Sequence, residues 1–167
     1  MSSLSQTSTP AQTTRRGIRV EPWHFIILFL ISAMIFAGYM SYMKLTAQQL
    51  VCDIGDGSVF NCGVVENSRW AYILGIPTAI WGFGWYSLIL LSVIGQRVVP
   101  FLRVYGVPIT FGMALFGFAY HCYLTYTAIT VIGRLCAYCI GAHLSMTFVL
   151  LFATIELIRY MRTPAQA

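Results

Sequence analysis

Four stretches of this chain are nearly unbroken runs of apolar residues, at roughly 23–43, 77–94, 104–127 and 136–158, and the segments between them are polar or mixed. A helix that crosses a bilayer needs about 20 residues, because each adds about 1.5 Å towards a hydrocarbon layer about 30 Å thick. All four runs are close to that length. They are continuous rather than alternating, which predicts helices and not barrel strands. The expected fold is an all-α membrane protein, a four-transmembrane-helix bundle with a long outer loop between helices 1 and 2. The first run exceeds a signal-peptide core and no small-x-small cleavage site follows it, so it is expected to remain as the first span.

The polar segments divide the rest. Residues 1–14 are rich in Ser, Thr and Gln without apolar periodicity, and 1–22 is expected to be a disordered cytoplasmic tail. The membrane domain is expected over 23–160, with the outer loop at 44–76 and a short cytoplasmic tail at 161–167. Loops of that length tend to carry function. This one holds a Gly/Asp/Ser cluster at 53–58, and its mixed stretch 64–74 is expected to lie on the membrane surface as an amphipathic helix. No internal repeat and no clean GxxxG spacing is present.

Composition supports the membrane assignment and charge orients it. Hydrophobic residues make up 58% and charged residues 9%, against about 25% charged in a soluble domain. The net charge of +5 does not indicate nucleic-acid binding, because the bases are dispersed and flank apolar runs. With the N-terminus in the cytoplasm, Arg15, Arg16, Arg19, Arg97, Arg103, Arg159 and Arg162 fall inside, and Lys44, Arg69 and Arg134 outside. That excess fits the positive-inside rule and returns both termini to the cytoplasm.

In this topology Cys52, Cys62, Cys136 and Cys139 all reach the outer face. Cys136 and Cys139 form Cys-Ala-Tyr-Cys where the fourth run begins. A helix N-terminus carries partial positive charge and free N–H groups, which stabilise a thiolate. The spacing also suits an exchangeable disulfide, although CxxC alone equally suits a structural bridge or half a zinc site. Cys52 and Cys62 could be a structural staple. Beside the CxxC, a relay is the favoured reading, because thiol–disulfide exchange passes a disulfide between neighbouring pairs. His143 shares a helix face with Cys136 and Cys139 and could move a proton at a redox cofactor or merely pair with another helix. His121, within the third span, is a weaker candidate. Cys122 reads as a small buried residue, and Glu156 as a partner of Arg159 or Arg162. Trp70, Tyr72, Trp81 and Trp85 suit an interfacial belt.

Several stretches together resemble the vitamin K epoxide reductase family: Cys52-Asp53-Ile54-Gly55 with Asn61-Cys62, Asn67-Ser68-Arg69-Trp70, Gly75-Ile76-Pro77 with Ile80-Trp81-Gly82, and Leu135-Cys136-Ala137-Tyr138-Cys139. The resemblance covers about 51–158, and a loop pair followed by CxxC at the fourth helix is that family's order. It implies a four-helix bundle around a quinone, ubiquinone or menaquinone. It implies that Cys139 faces the quinone, Cys136 exchanges with the loop, Cys62 relays to Cys136, and Cys52 meets a thioredoxin-fold extracytoplasmic partner. It also implies that Ser68, Thr78, Trp81 and His143 bind the cofactor. His143 stands where the vertebrate enzyme has a tyrosine and Thr78 about where it has an asparagine, so disulfide formation is expected ahead of vitamin K quinone or epoxide reduction. No thioredoxin-like domain or retention signal follows the fourth run in this sequence, and the expectation is a separate partner and a bacterial plasma (inner) membrane. Two other readings compete: a metal site of the four sulfurs, weakened by the nine residues between Cys52 and Cys62, and a haem held by His121 and His143.

The charge bias gives the first prediction. After mild reduction of intact cells, a membrane-impermeant thiol reagent labels Cys52 and Cys62. Labelling that requires broken membranes would reverse the orientation.

Overall fold

The computed structural model describes residues 21–48, 50, 52 and 59–162. The expected terminal tails, apart from residues 21–22 and 161–162, and the 53–58 cluster lie outside these residues. Among the described residues, four long helices are apolar enough to cross a membrane: α1 (Pro22–Leu45), α3 (Thr78–Val98), α4 (Pro100–Thr127) and α5 (Ala137–Arg162). α1 packs on α3 and α5, and α4 also packs on α3 and α5, which closes a ring of four. The protein is an all-α, multi-pass membrane bundle.

Each helix turns a narrow face inward. Ile26, Leu30, Ala33 and Ala37 of α1 are buried at spacings of four and three. Tyr86, Ile89 and Val93 of α3 and Met146, Val149 and Ala153 of α5 meet them in one core. α4 offers mainly small residues, with Gly106, Thr110, Ala114 and Gly117 buried, and small residues let helices approach closely in lipid. The sequence reading sought strict GxxxG and so passed over this stripe, which mixes Gly, Thr and Ala.

The helices are longer than their apolar cores suggest. Only Val99 separates α3 from α4. Gly95, Gln96 and Arg97 continue α3, while Pro100 starts α4 with the fixed φ and missing N–H that a first turn tolerates. Pro108 lies inside α4 and cannot bond the Val104 carbonyl. The Tyr160 hydroxyl donates to that carbonyl instead, at 2.8 Å. Nearby, Arg159 lies 3.7 Å from Glu21 and Arg97 sits 3.9 Å over the Trp23 ring, gathering these two arginines at the end remote from the CxxC.

The outer loop differs from the expected surface helix at 64–74. A short helix α2 (Cys62–Asn67) begins where the Asn61 side chain accepts from the Val64 N–H at 2.9 Å. It stops at Ser68, whose backbone is extended. A single 3₁₀ turn, Arg69–Ala71, and a two-residue hairpin, β1 (Tyr72–Ile73) with β2 (Ile76–Pro77), lead into α3. Leu74 and Gly75 both have positive φ, 53° and 79°, the geometry of a tight hairpin reversal. α4 ends in a π turn, Ala128–Ile132, closed by Gly133 at φ 69°.

A Cβ on Gly117 would lie 2.4 Å from the Met146 Cε and 3.2 Å from the Trp85 Nε1, whereas Gly112 has open space. Gly117→Val is therefore expected to cost about 1–3 kcal/mol by overpacking. It should lower the unfolding midpoint in detergent, and Gly112→Ala should not. Equal midpoints for the two variants would contradict this packing.

Candidate active site

The site is assembled by backbone pairing outside the bundle. The Leu135 N–H donates to the Val59 carbonyl and the Asn61 N–H to the Leu135 carbonyl, both at 2.9 Å, around a parallel Phe60–Leu135 bridge. The residues immediately following are Cys62 on one side and Cys136 on the other. Both are buried, with Leu50, in one cluster against which Cys52, Cys139, Val65, Met40, Met43 and Tyr138 pack. All four site cysteines thus share one apolar patch at the mouth of the bundle.

The two pairs stand in different redox forms. Cys52 and Cys62 are joined as a disulfide with Cα atoms 5.7 Å apart, and the Cys62 N–H points to the Cys52 Sγ at 3.1 Å. Cys136 and Cys139 are free thiols. The disulfide takes two of the four sulfurs that the metal reading required. Cys136 precedes the first turn of α5, and its carbonyl accepts from the Ile140 N–H at 3.0 Å. A hydrogen bond from the Cys139 side chain holds the Cys136 thiol below its ordinary pKa. Burial opposes this, the backbone N–H groups of Cys139 and Tyr138 help it, and the charge of Glu66 opposes it.

Cys136 and Cys139 also face an apolar cavity of about 140 Å³ between α1, α3, α4, α5 and the outer loop. Its polar wall includes Ser68, Thr78, Tyr86, Tyr120, His121 and Thr125. The Ser68 hydroxyl is satisfied locally, donating to the Val65 carbonyl at 2.8 Å. Among the described residues the Thr78 hydroxyl is buried without a hydrogen-bond partner of good geometry, although the Tyr120 hydroxyl is a polar neighbour. A buried, unpartnered hydroxyl costs stability unless something else satisfies it. Deeper along the same two helices Tyr86 hydrogen-bonds the Nε2 of His121.

Of the residues expected to bind a cofactor, Ser68 and Thr78 line the cavity while Trp81 and His143 do not. Trp81 is 47% exposed on the outside of α3. His143 turns towards α4, where its Nδ1 meets the Thr125 hydroxyl at 2.8 Å and its Nε2 lies 3.9 Å from the Cys122 sulfur. Helical spacing places His143 on one face with the CxxC, but only the rotation of α5 against α4 decides which neighbour its ring meets. His121 takes the wall position, with its ring centroid 5.7 Å from that of His143. Cys122 is exposed on the bundle surface rather than buried. Tyr86 and Glu66 were not singled out by the sequence reading. A signal for Glu66 exists, because it is an acid one helical turn after Cys62.

Residues 14–154 match the profile described as the Vitamin K epoxide reductase family. The chain belongs to that family. It is also 33% identical, over 135 aligned residues, to the thiol-disulfide oxidoreductase LTO1 of Arabidopsis thaliana. That alignment covers 74% of this chain and 33% of the plant protein, so the chain spans about a third of the length of this curated relative.

Proposed function

We propose that this protein is a membrane thiol–disulfide oxidoreductase that takes electrons from a thioredoxin-fold protein and delivers them to a quinone, generating disulfides. The observation that carries the reading is the double exposure of the CxxC. Cys136 packs against the loop disulfide, and both CxxC cysteines open on an apolar cavity. The family and the relative's name support thiol–disulfide chemistry. The charge distribution supports an outward-facing site with both termini in the cytoplasm; a bacterial plasma membrane and ubiquinone or menaquinone as the acceptor complete the proposal.

The residues present suit a quinone ring. The walls are apolar, the Thr78 hydroxyl lacks a partner of good geometry among the described residues, and a hydrogen-bonded tyrosine–histidine pair shares the lining. A bound quinone supplies a two-electron, two-proton acceptor. Thr78 would donate to one of its carbonyls, and His121, held by Tyr86, would carry a proton at the other side. His143 would act through His121. Cys52 exchanges with the partner, and Cys62 then attacks Cys136 in the CxxC disulfide. Cys139 leaves, and attack of Cys52 on Cys62 frees Cys136. The bonded loop pair beside free CxxC cysteines is the arrangement that such an exchange would leave.

Stoichiometry tests this reading. Fully reduced protein, freed of reductant and mixed anaerobically with a short-chain quinone, is expected to form about two quinols per chain, because each thiol pair holds two electrons. Cys52→Ala/Cys62→Ala should form about one, and Cys139→Ala almost none. Undiminished quinone reduction by Cys139→Ala would overturn the proposal.

A further inference from the structure

The exchange moves protons as well as electrons. When the reduced loop pair reduces the CxxC disulfide, the Cys62 and Cys52 thiols must each lose a proton to attack. Cys139 and Cys136 leave as thiolates, and each gains one. Two electrons and two protons pass between the pairs, and no outside oxidant or reductant is needed. Cys62 and Cys136 are buried in an apolar cluster against which Cys52 and Cys139 pack, where a proton cannot simply be left in solution.

Among the described residues, one carboxylate stands between the two pairs and the outer side of the loop. Glu66 follows Cys62 by one turn of α2, so the two side chains share a helix face. It lines the cavity onto which Cys136 and Cys139 open. It also lines a second cleft, about 310 Å³, on the outer side of α2 with Lys44, Gln48, Leu50, Gly63 and Asn67. Among the described residues, Glu66 is the single residue common to both linings. We propose that Glu66 is the proton carrier of the relay, taking a proton from the attacking loop thiol and returning it to the departing CxxC thiolate. This rests on the electron path given above and assigns that path a proton route.

The surroundings suit a group that must both gain and lose a proton. Burial raises the Glu66 carboxyl above its ordinary range, and the Lys44 ammonium opposes the rise. Lys44 is anchored at 2.7 Å by the Asn67 Oδ1 and lies over the Tyr72 ring. Cys136, just before α5, and Cys139, in its first turn, face Glu66. The π turn packed on α2 brings no titratable group, and Arg69 stacks on Trp70. From α4, His121 and Tyr120 share the cavity wall.

Two roles for Glu66 predict opposite signs. As a fixed charge it raises the Cys136 pKa, so neutralising it would favour the thiolate and speed exchange. As a carrier, its loss slows exchange. Oxidised protein without quinone is mixed with limiting dithiothreitol, quenched with acid and mapped for thiols, to give the rate at which thiols move from Cys52/Cys62 to Cys136/Cys139 between pH 5.5 and 9. Glu66→Gln is expected to slow that transfer about tenfold or more near neutral pH, with the deficit shrinking as hydroxide takes over. Glu66→Asp should retain most of the rate, and acetate should partly rescue Glu66→Ala, which a purely structural defect would not allow. A Glu66→Gln rate equal to or above wild type across the range overturns the carrier role alone. No transfer in the wild-type protein at any pH overturns the electron path and the carrier together.

Discussion

Two backbone hydrogen bonds between the outer loop and Leu135 hold the chemistry of this protein in place. Among its described residues the loop carries only α2, one 3₁₀ turn and a two-residue hairpin between two membrane helices, none of which ties Cys62 to α5. Pairing Val59 and Asn61 with Leu135 fixes the start of α2 beside the start of α5, bringing Cys62 and Cys136 into one buried cluster. The bond geometry is local, but the four-helix ring makes it possible by presenting Leu135 at the rim. The π turn and Gly133 steer the chain from α4 into that position. In lipid, backbone groups must find partners within the protein, and at this rim the loop supplies them.

Below the rim the bundle is divided by depth. The half near the termini is packed tightly through the small residues of α4 and through Ser92, Gln96 and Thr110, whose side chains hydrogen-bond one another. The half near the loop is left open as the cavity beneath the CxxC. Tight packing at one end permits a hollow at the other, because the core of Ile26, Leu30, Ile89, Met146 and Val149 fixes the helix orientations before the cavity begins.

The sequence made the spans and the cysteine chemistry legible, since hydropathy marks lipid-facing helices and a CxxC opening a helix has a clear electrostatic meaning. The helix ends were less legible, because Gln96, Arg97 and Arg103 are polar yet helical beyond the apolar run. Residues 64–74 were misleading: their mixed pattern suits a surface helix, but the Asn61 cap, the extended Ser68 and the Leu74-Gly75 turn divide them. Cavity membership could not be read at all for the histidines. His121 and His143 lie on adjacent helices with their rings 5.7 Å apart, and a modest rotation decides which one meets the hollow. Glu66 was legible in part, through its spacing from Cys62, but its position between two cavities belongs to the folded loop alone.

The central claim is that the disulfide passes directly from Cys136 to Cys62 across the patch that Leu135 organises. Removing the sulfur that would resolve the mixed disulfide makes the transfer visible. Peptide mapping of Cys139→Ala, purified from cells under acid quench, reads the covalent partner of Cys136. The account predicts a Cys62–Cys136 disulfide as the main species. Cys136 found free or bound to another protein, with the Cys52–Cys62 bridge intact throughout, would contradict it and leave the loop pair as a structural clamp.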